Sequence, residues 1–303
     1  MRKRAPRSPY DFHVSEIVTS DGVRIAYDVW GPRDGTPVLL IGGLGMNARG
    51  WALQRGAFGR RHRCIAIDNR GTGYSDVPPG PYDLVRMATD AVEVLDDAGI
   101  ERAHVVGASM GGVIAQIIGV MHADRVQSLV LACTACRHHT WRRELLAEWA
   151  ELVTKNGMQA LTDDGMRWLI GPRLQRRFGV FMNVLARVLV QTKPAAFAAQ
   201  VGAILAMPDE MRNELHTIAA PTLVITGSQD TLTPLGDAEE MAELISGSRL
   251  YVLRGAAHGL MAEAPNAFND AVLRFIDAVD ETTPLVLSPA PDPAGSDDAR
   301  ATS

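Results

Sequence analysis

The chain has 303 residues, 47% of them hydrophobic, enough to bury a large core as one big α/β domain or two smaller ones. A formal net charge of −5 excludes the basic field that would hold nucleic acid or an anionic membrane surface. Three cysteines (Cys64, Cys133, Cys136) are too few, and odd in number, for a secreted disulfide framework, so reduced thiols in a cytoplasm are expected.

The first nine residues, MRKRAPRSP, are basic but lead into no apolar stretch, so they do not read as a signal peptide; residues 1–15 are expected to be a solvated tail. Residues 16–20 and 23–30 are β-rich runs joined by Ser20-Asp21-Gly22, a hairpin signal. Residues 37–41 (PVLLI) read as a buried strand running into Gly42-Gly43-Leu44-Gly45. Residues 64–68 (CIAID) read as another, followed by NRGTGYS. Residues 82–98 carry helical spacing through Leu84, Met87, Ala91, Val94 and Leu95, and stop at Gly99.

The central stretch is residues 103–121, AHVVGASMGGVIAQIIGVM. A short β-branched run breaks at Gly107-Ala108-Ser109-Met110-Gly111-Gly112 and resumes as a helix-compatible segment, the context in which G-x-S-x-G is a nucleophile elbow. The turn leaves no room for bulk at positions 107 and 111. It projects the Ser109 hydroxyl over the sheet edge and leaves the Met110 N–H at a helix N-terminus, facing a developing oxyanion. Residues 103–123 have no Asp, Glu, Lys or Arg and match a membrane span in length, but four glycines, Ser109, Gln116 and two histidines argue for a strand plus a buried helix.

Residues 126–132, 221–226 and 249–253 read as further strands, with helices over 237–245 and 264–279. Apolar strands alternating with helices predict a mostly parallel, doubly wound sheet, with antiparallel strands from the opening hairpin at one edge. Residues 134–217 break the alternation. Their apolar residues (Trp141, Leu145, Trp149, Leu152, Leu161, Trp168, Phe178, Phe181, Leu185, Val188) sit at helical spacing, which predicts a helical cap arching over the crevice where sheet ligands bind. The α/β core is then 16–133 plus 218–280. Residues 281–303, rich in Pro, Ala, Asp, Ser and Thr, read as a disordered tail.

A serine hydroxyl needs an adjacent base. Of eight histidines, His258 follows the strand at 249–253 and so hangs from a strand end on the same side of a parallel sheet as Ser109. His138 and His139, at the cap entrance, are its rivals. The base needs a carboxylate to fix its tautomer, and Asp230 follows the strand at 221–226. Asp237 falls inside the next helix. The order Ser109, Asp230, His258 is the one that accompanies an elbow of this kind.

On these pieces, GASMG at 107–111, GSQDTLTP at 227–234, GAAHGLMAEAP at 255–265, LLIGGLG at 39–45 and DNRGTGYS at 68–75, the chain resembles an α/β-hydrolase-fold enzyme over roughly residues 16–279. The resemblance is to the capped subgroup of enol-lactonases, small carboxylesterases and methyl-ester hydrolases of aromatic polyketides. It implies Ser109 as nucleophile, His258 as base and Asp230 as its orienter. The N–H groups of Met110 and Leu44 would form the oxyanion hole. Many members carry His-Gly where this chain has Gly42-Gly43. The reaction implied is cleavage of an ester or lactone through an acyl-serine, with C–C hydrolysis or lyase chemistry as the alternative on the same triad; no cofactor is needed.

Gly43, Trp141, Trp149, Phe181, Leu232 and Leu260 are expected to line a pocket for a small-to-medium hydrophobic substrate. From a different class, Gly43, Gly45 and Ala48 fit the G-x-G-x-x-A of a dinucleotide site, with Asp68 where a ribose-binding acid belongs. Cys133-x-x-Cys136-x-His138-His139 has zinc-type donors but no second pair.

Overall fold

The computed structural model describes residues 14–172, 175–176, 192–208 and 210–282. Among them, eight strands make one sheet: β1 (Val14–Val18), β2 (Arg24–Trp30), β3 (Thr36–Ile41), β4 (His62–Ile67), β5 (Ala103–Ala108), β6 (Val126–Ala132), β7 (Thr222–Gly227) and β8 (Arg249–Leu253). Their order is β1-β2-β4-β3-β5-β6-β7-β8. The pairings β1–β2 and β2–β4 are antiparallel and all others are parallel. This is the doubly wound, mostly parallel architecture that the alternation of apolar runs predicts.

Each expected strand is found within two residues of its predicted place. The largest shift is at β1, which begins at Val14, inside the stretch assigned to the tail. Thr19 and Ser20 are not strand because Thr19 N–H donates to Val23 O (2.9 Å) and Gly22 N–H to Thr19 O (2.8 Å), closing the hairpin turn with Gly22 at φ 82°. The remainder of both expected tails, 1–13 and 283–303, lies outside the described residues.

The inner strands of the sheet are buried on both faces and alternate between two apolar layers, while the edge strands β1 and β8 are partly exposed. Leu39, Ile41, Ile65, Ile67, Val105, Leu129 and Leu131 pack under α2 (Leu84–Asp97), α3 (Met110–Met121) and α8 (Leu235–Leu244). Val38, Leu40, Cys64, Ala66, Val106, Val130 and Ile225 pack under α1 (Ala52–Phe58) and α10 (Pro265–Asp280) through Phe58, Phe268, Val272 and Phe275. Helix α2 starts where Asp83 accepts from the N–H groups of Val85 (2.6 Å) and Arg86 (3.0 Å), an N-cap.

Between β6 and β7 stands the helical cap, with α4 (Thr140–Asn156), α5 (Met158–Leu169), α6 (Pro194–Ala206) and the short α7 (Glu210–Glu214), and no strand among the described residues. Its inward side chains Leu145, Leu146, Trp149, Phe197, Val201 and Ile204 merge with the core layer above α3. The cap is therefore packed onto the domain, not hung from it. A four-residue helix, α9 (Leu260–Glu263), precedes α10. Among the described residues no helix is long and apolar enough to cross a membrane.

Candidate active site

The elbow between β5 and α3 explains its own glycines. Ser109 sits at φ 53°, a strained conformation for a residue with a side chain. A Cβ on Gly107 would stand 2.2 Å from Gly111 O, and one on Gly111 would stand 2.1 Å from Ile41 O. Gly112 abuts Thr134, whose Oγ1 donates to Ser109 O (2.7 Å). Ser109 N–H donates to Ala132 O at the end of β6 (2.9 Å). The turn is thus clamped by β3 on one side and β6 on the other, with the hydroxyl pointing out of the clamp.

Loops after β7 and β8 deliver the other two groups, and they interlock. Ser228 N–H donates to Leu253 O (3.0 Å), Gln229 N–H to Ala256 O (2.8 Å) and Gly255 N–H to Ser228 Oγ (2.9 Å). Gly227 has no room for a Cβ against Ala256 O at 2.3 Å. In this frame Ser109 Oγ–H donates to His258 Nε2 (3.0 Å), and His258 Nδ1–H donates to Asp230 Oδ2 (2.8 Å). The carboxylate only accepts, so it places the proton on Nδ1 and leaves Nε2 as the lone-pair nitrogen facing the serine.

Asp230 is well supplied with donors: Leu232 N–H (2.9 Å) and Thr233 N–H (2.8 Å) on Oδ1, and Thr233 Oγ1 (2.7 Å) on Oδ2. Burial pushes its pKa up, but the charge and hydrogen bond of His258 and the Thr233 donors outweigh burial and hold it below the ordinary carboxylate value. The His258 loop is also tied to the cap: Gly259 N–H donates to Leu169 O (2.6 Å), and Glu263 accepts from Ala257 N–H and Gly171 N–H (both 3.0 Å). Burial raises the Glu263 pKa.

The rival histidines stand outside the Ser109–His258–Asp230 relay. His139 Nε2 lies 3.6 Å from Asp237 Oδ1, and Asp237, inside α8, is ion-paired with the buried Arg142. His138 lines the cavity beside Ser109, whose hydroxyl meets His258.

That cavity holds about 350 Å³ of empty space, including its open mouth, and is lined by Met110, Val113, Thr134, Ala135, His138, Arg142, Leu146, Ile204, Leu232 and Thr233 beside Ser109. Of the expected pocket residues, Leu232 is in this wall, and Gly43 packs against Ser109, a Cβ there lying 3.1 Å from the serine Cβ. Trp149 is buried in the cap core, and Leu260 belongs to the opposite layer under α10. Trp141 is partly exposed and stacks on Trp168, ring centroids 6.1 Å apart. These three are outside this wall because apolar spacing on a helix marks burial but not the direction of a pocket. Phe181 lies outside the described residues. The sequence reading did not place Val113, Thr134, Ala135, Arg142, Leu146, Ile204 or Thr233 in a pocket, and had His138 only as a rival base; Thr233, three residues after Asp230, had a signal in its Asx-turn spacing.

The loop after β3 presents Leu44. Among the described residues, the N–H groups of Leu44 and Met110 donate to no acceptor, while the neighbouring Gly43 O accepts from Met46 N–H (3.0 Å). At Gly42 the space is filled by Met46: a Cβ on Gly42 would meet Met46 Cγ at 3.0 Å.

The dinucleotide reading fails on the same loop. Asp68 is buried and accepts from Ala48 N–H (2.7 Å) and Tyr74 N–H (2.8 Å), so its oxygens tie loops together and are not free for a ribose. Gly45 N–H, which a pyrophosphate would need, donates to Gln200 Oε1 (2.9 Å). Cys133 and Cys136 are buried thiols, the latter with its pKa pushed up to about 12 by burial. Among the described residues no three His, Cys, Asp or Glu side chains gather to hold a metal ion.

The chain is 29% identical over 264 residues to 3-oxoadipate enol-lactonase 2 of Acinetobacter baylyi, covering 86% of this chain and 96% of that one. Among solved structures it is similar to the enol-lactonase from Burkholderia xenovorans LB400, with a TM-score of 0.81 and 29% identity over 87% of this chain and 100% of the other. A thermophilic esterase from Thermogutta terrifontis gives a TM-score of 0.81 and 26% identity, covering 88% and 99%. The model of the alpha/beta hydrolase family matches residues 38–271, and the chain belongs to that family.

Proposed function

We propose that the protein is a serine hydrolase that cleaves a carboxylic ester or lactone of a small-to-medium hydrophobic substrate. The observation that carries this is the unbroken relay Ser109 Oγ–His258 Nε2 (3.0 Å) and His258 Nδ1–Asp230 Oδ2 (2.8 Å) at the C-terminal ends of three parallel strands. His258 takes the Ser109 proton as the oxygen attacks the carbonyl carbon, and Asp230 stabilises the imidazolium. The carbonyl oxygen, now negative, is met by the N–H groups of Leu44 and Met110. His258 then protonates the leaving alkoxide, leaving an acyl-Ser109 ester. Water enters and gives a proton to His258 as its oxygen attacks the acyl carbon; His258 returns that proton to Ser109 Oγ as the acyl–oxygen bond breaks and the acid leaves.

Among the described residues the cavity's surface is apolar, and the one arginine lining it, Arg142, is already ion-paired with Asp237, which favours an uncharged group bound against it. The enol-lactonase and esterase relatives support the reaction class. A panel of p-nitrophenyl esters and lactones, assayed with and without a serine-reactive organophosphate, tests the proposal. Turnover abolished by the organophosphate is expected. Undiminished turnover, or none with any ester or lactone, would overturn it.

A further inference from the structure

Helix α6 reads PAAFAAQVGAILA, and Gln200 is its one polar side chain. It is fully buried, so its amide must find partners inside the protein. It finds two: Oε1 accepts from Gly45 N–H (2.9 Å) and Nε2 donates to Arg70 O (3.0 Å). Only one orientation of the amide serves both, because the flipped one sets donor against donor and acceptor against acceptor. Arg70 is itself fixed, its guanidinium paired with Asp90 through two contacts of 2.8 Å.

We infer that Gln200 is a positioning residue for the oxyanion hole, by which the seated cap helix holds the Leu44 N–H toward Ser109. Around Leu44, three carbonyls of the loop are engaged. Gly42 O accepts from Asn69 Nδ2 (3.2 Å), Gly43 O from Met46 N–H (3.0 Å) and Gly45 O from Thr192 Oγ1 (2.8 Å). Gly45 sits at φ 70°, where the backbone reverses, and the Gln200 contact holds the amide plane between residues 44 and 45, next to the plane that carries the Leu44 N–H. Freeing that plane lets the loop turn and carries the Leu44 N–H off the line to the acyl oxygen. The cap then does more than cover the site: unless α6 is docked, the hole is incomplete. This rests on the proposed role of Leu44 and Ser109.

The test uses Gln200→Met, which matches length but bonds neither partner, and Gln200→Glu, which keeps the acceptor for Gly45 and donates to Arg70 O only when protonated. Kinetics on p-nitrophenyl butyrate, a thermal melt and labelling by a fluorophosphonate are measured for each and for the wild type. Gln200→Met is expected to lose about tenfold to a hundredfold in kcat with KM little changed, while melting cooperatively above the assay temperature. For Gln200→Glu, the ratio of its kcat to the wild-type value is expected to rise as the pH falls from about 8 to about 5.5, as the buried carboxyl takes up its proton. The inference is overturned if Gln200→Met keeps kcat within twofold, if only KM moves, or if lost activity in both variants merely follows lost folded protein. Normal fluorophosphonate labelling of wild-type Ser109 together with an inert Gln200 sinks this inference alone. A wild type that takes no label sinks the functional reading with it.

Discussion

Replacing Gly111 by alanine probes how closely the elbow helix is pressed onto the end of β3. The new Cβ would lie 2.1 Å from Ile41 O, 2.6 Å from Ile41 C and 2.7 Å from Gly42 O. Ordinary contact begins near 3.4 Å, so the nearest pair is about 1.3 Å too close, and all three atoms are backbone. No side chain can swing away; α3 and the loop after β3 must separate. Overpacking of this kind costs about 1–3 kcal/mol of stability. The separation also acts on chemistry, because Met110 precedes Gly111 and Leu44 follows Gly42, so both proposed oxyanion donors are dragged apart. Loss of one such donor reduces kcat by about 10²–10³.

The expected result is therefore a protein that unfolds cooperatively at lower urea, followed by tryptophan fluorescence, with kcat on a p-nitrophenyl ester down by at least about a hundredfold. Gly202→Ala is the control: Gly202 is exposed on α6 with nothing within 4 Å of its added Cβ. It should raise stability by about 0.4–1 kcal/mol and leave kcat alone. Wild-type kcat in Gly111→Ala would refute the reasoning.

Asp230→Asn should keep the fold and lower kcat by about 10⁴, since an amide does not hold the His258 tautomer; steady-state kinetics beside a thermal melt checks this. The Asp230 carboxyl titrates below its unfolded value, so the stability it contributes is present above about pH 4 and is lost as the pH falls through the lower folded value. Urea midpoints between about pH 5 and pH 2 should show that loss in the wild type and less of it in Asp230→Asn. The ion pair of Arg142 and Asp237, buried on both sides, should cost about 3–5 kcal/mol when Arg142→Met takes the guanidinium from the carboxylate and leaves it only His139 at 3.6 Å, and less when Asp237→Leu is added. A double-mutant cycle of urea unfolding energies measures the difference.

The apolar runs in PVLLI and CIAID are legible as strands because the inner strands of a sheet covered on both faces demand apolar side chains at every position. The elbow is legible because Gly107 and Gly111 lie where any Cβ would strike backbone. Ser109, Asp230 and His258 could be brought together on paper because each follows a strand that runs the same way. The pocket was another matter. Trp149 and Leu260 are apolar for the sake of the core, one in the cap layer and one under α10, and residue type does not reveal which apolar side chain faces a void. Gln200 was legible in principle, as a lone amide in an apolar helix, but its partners Gly45 and Arg70 lie 155 and 130 residues away and only the docked cap identifies them.

The central claim is that Ser109 attacks a carbonyl carbon under the control of His258. Treating the wild type with a fluorophosphonate and mapping the adduct by peptide mass spectrometry tests it directly. The account predicts one adduct, on Ser109, formed in parallel with the loss of ester turnover and absent from both Ser109→Ala and a wild type unfolded before treatment. Stoichiometric labelling of another residue, or a Ser109→Ala protein that hydrolyses esters at the wild-type rate, would contradict it.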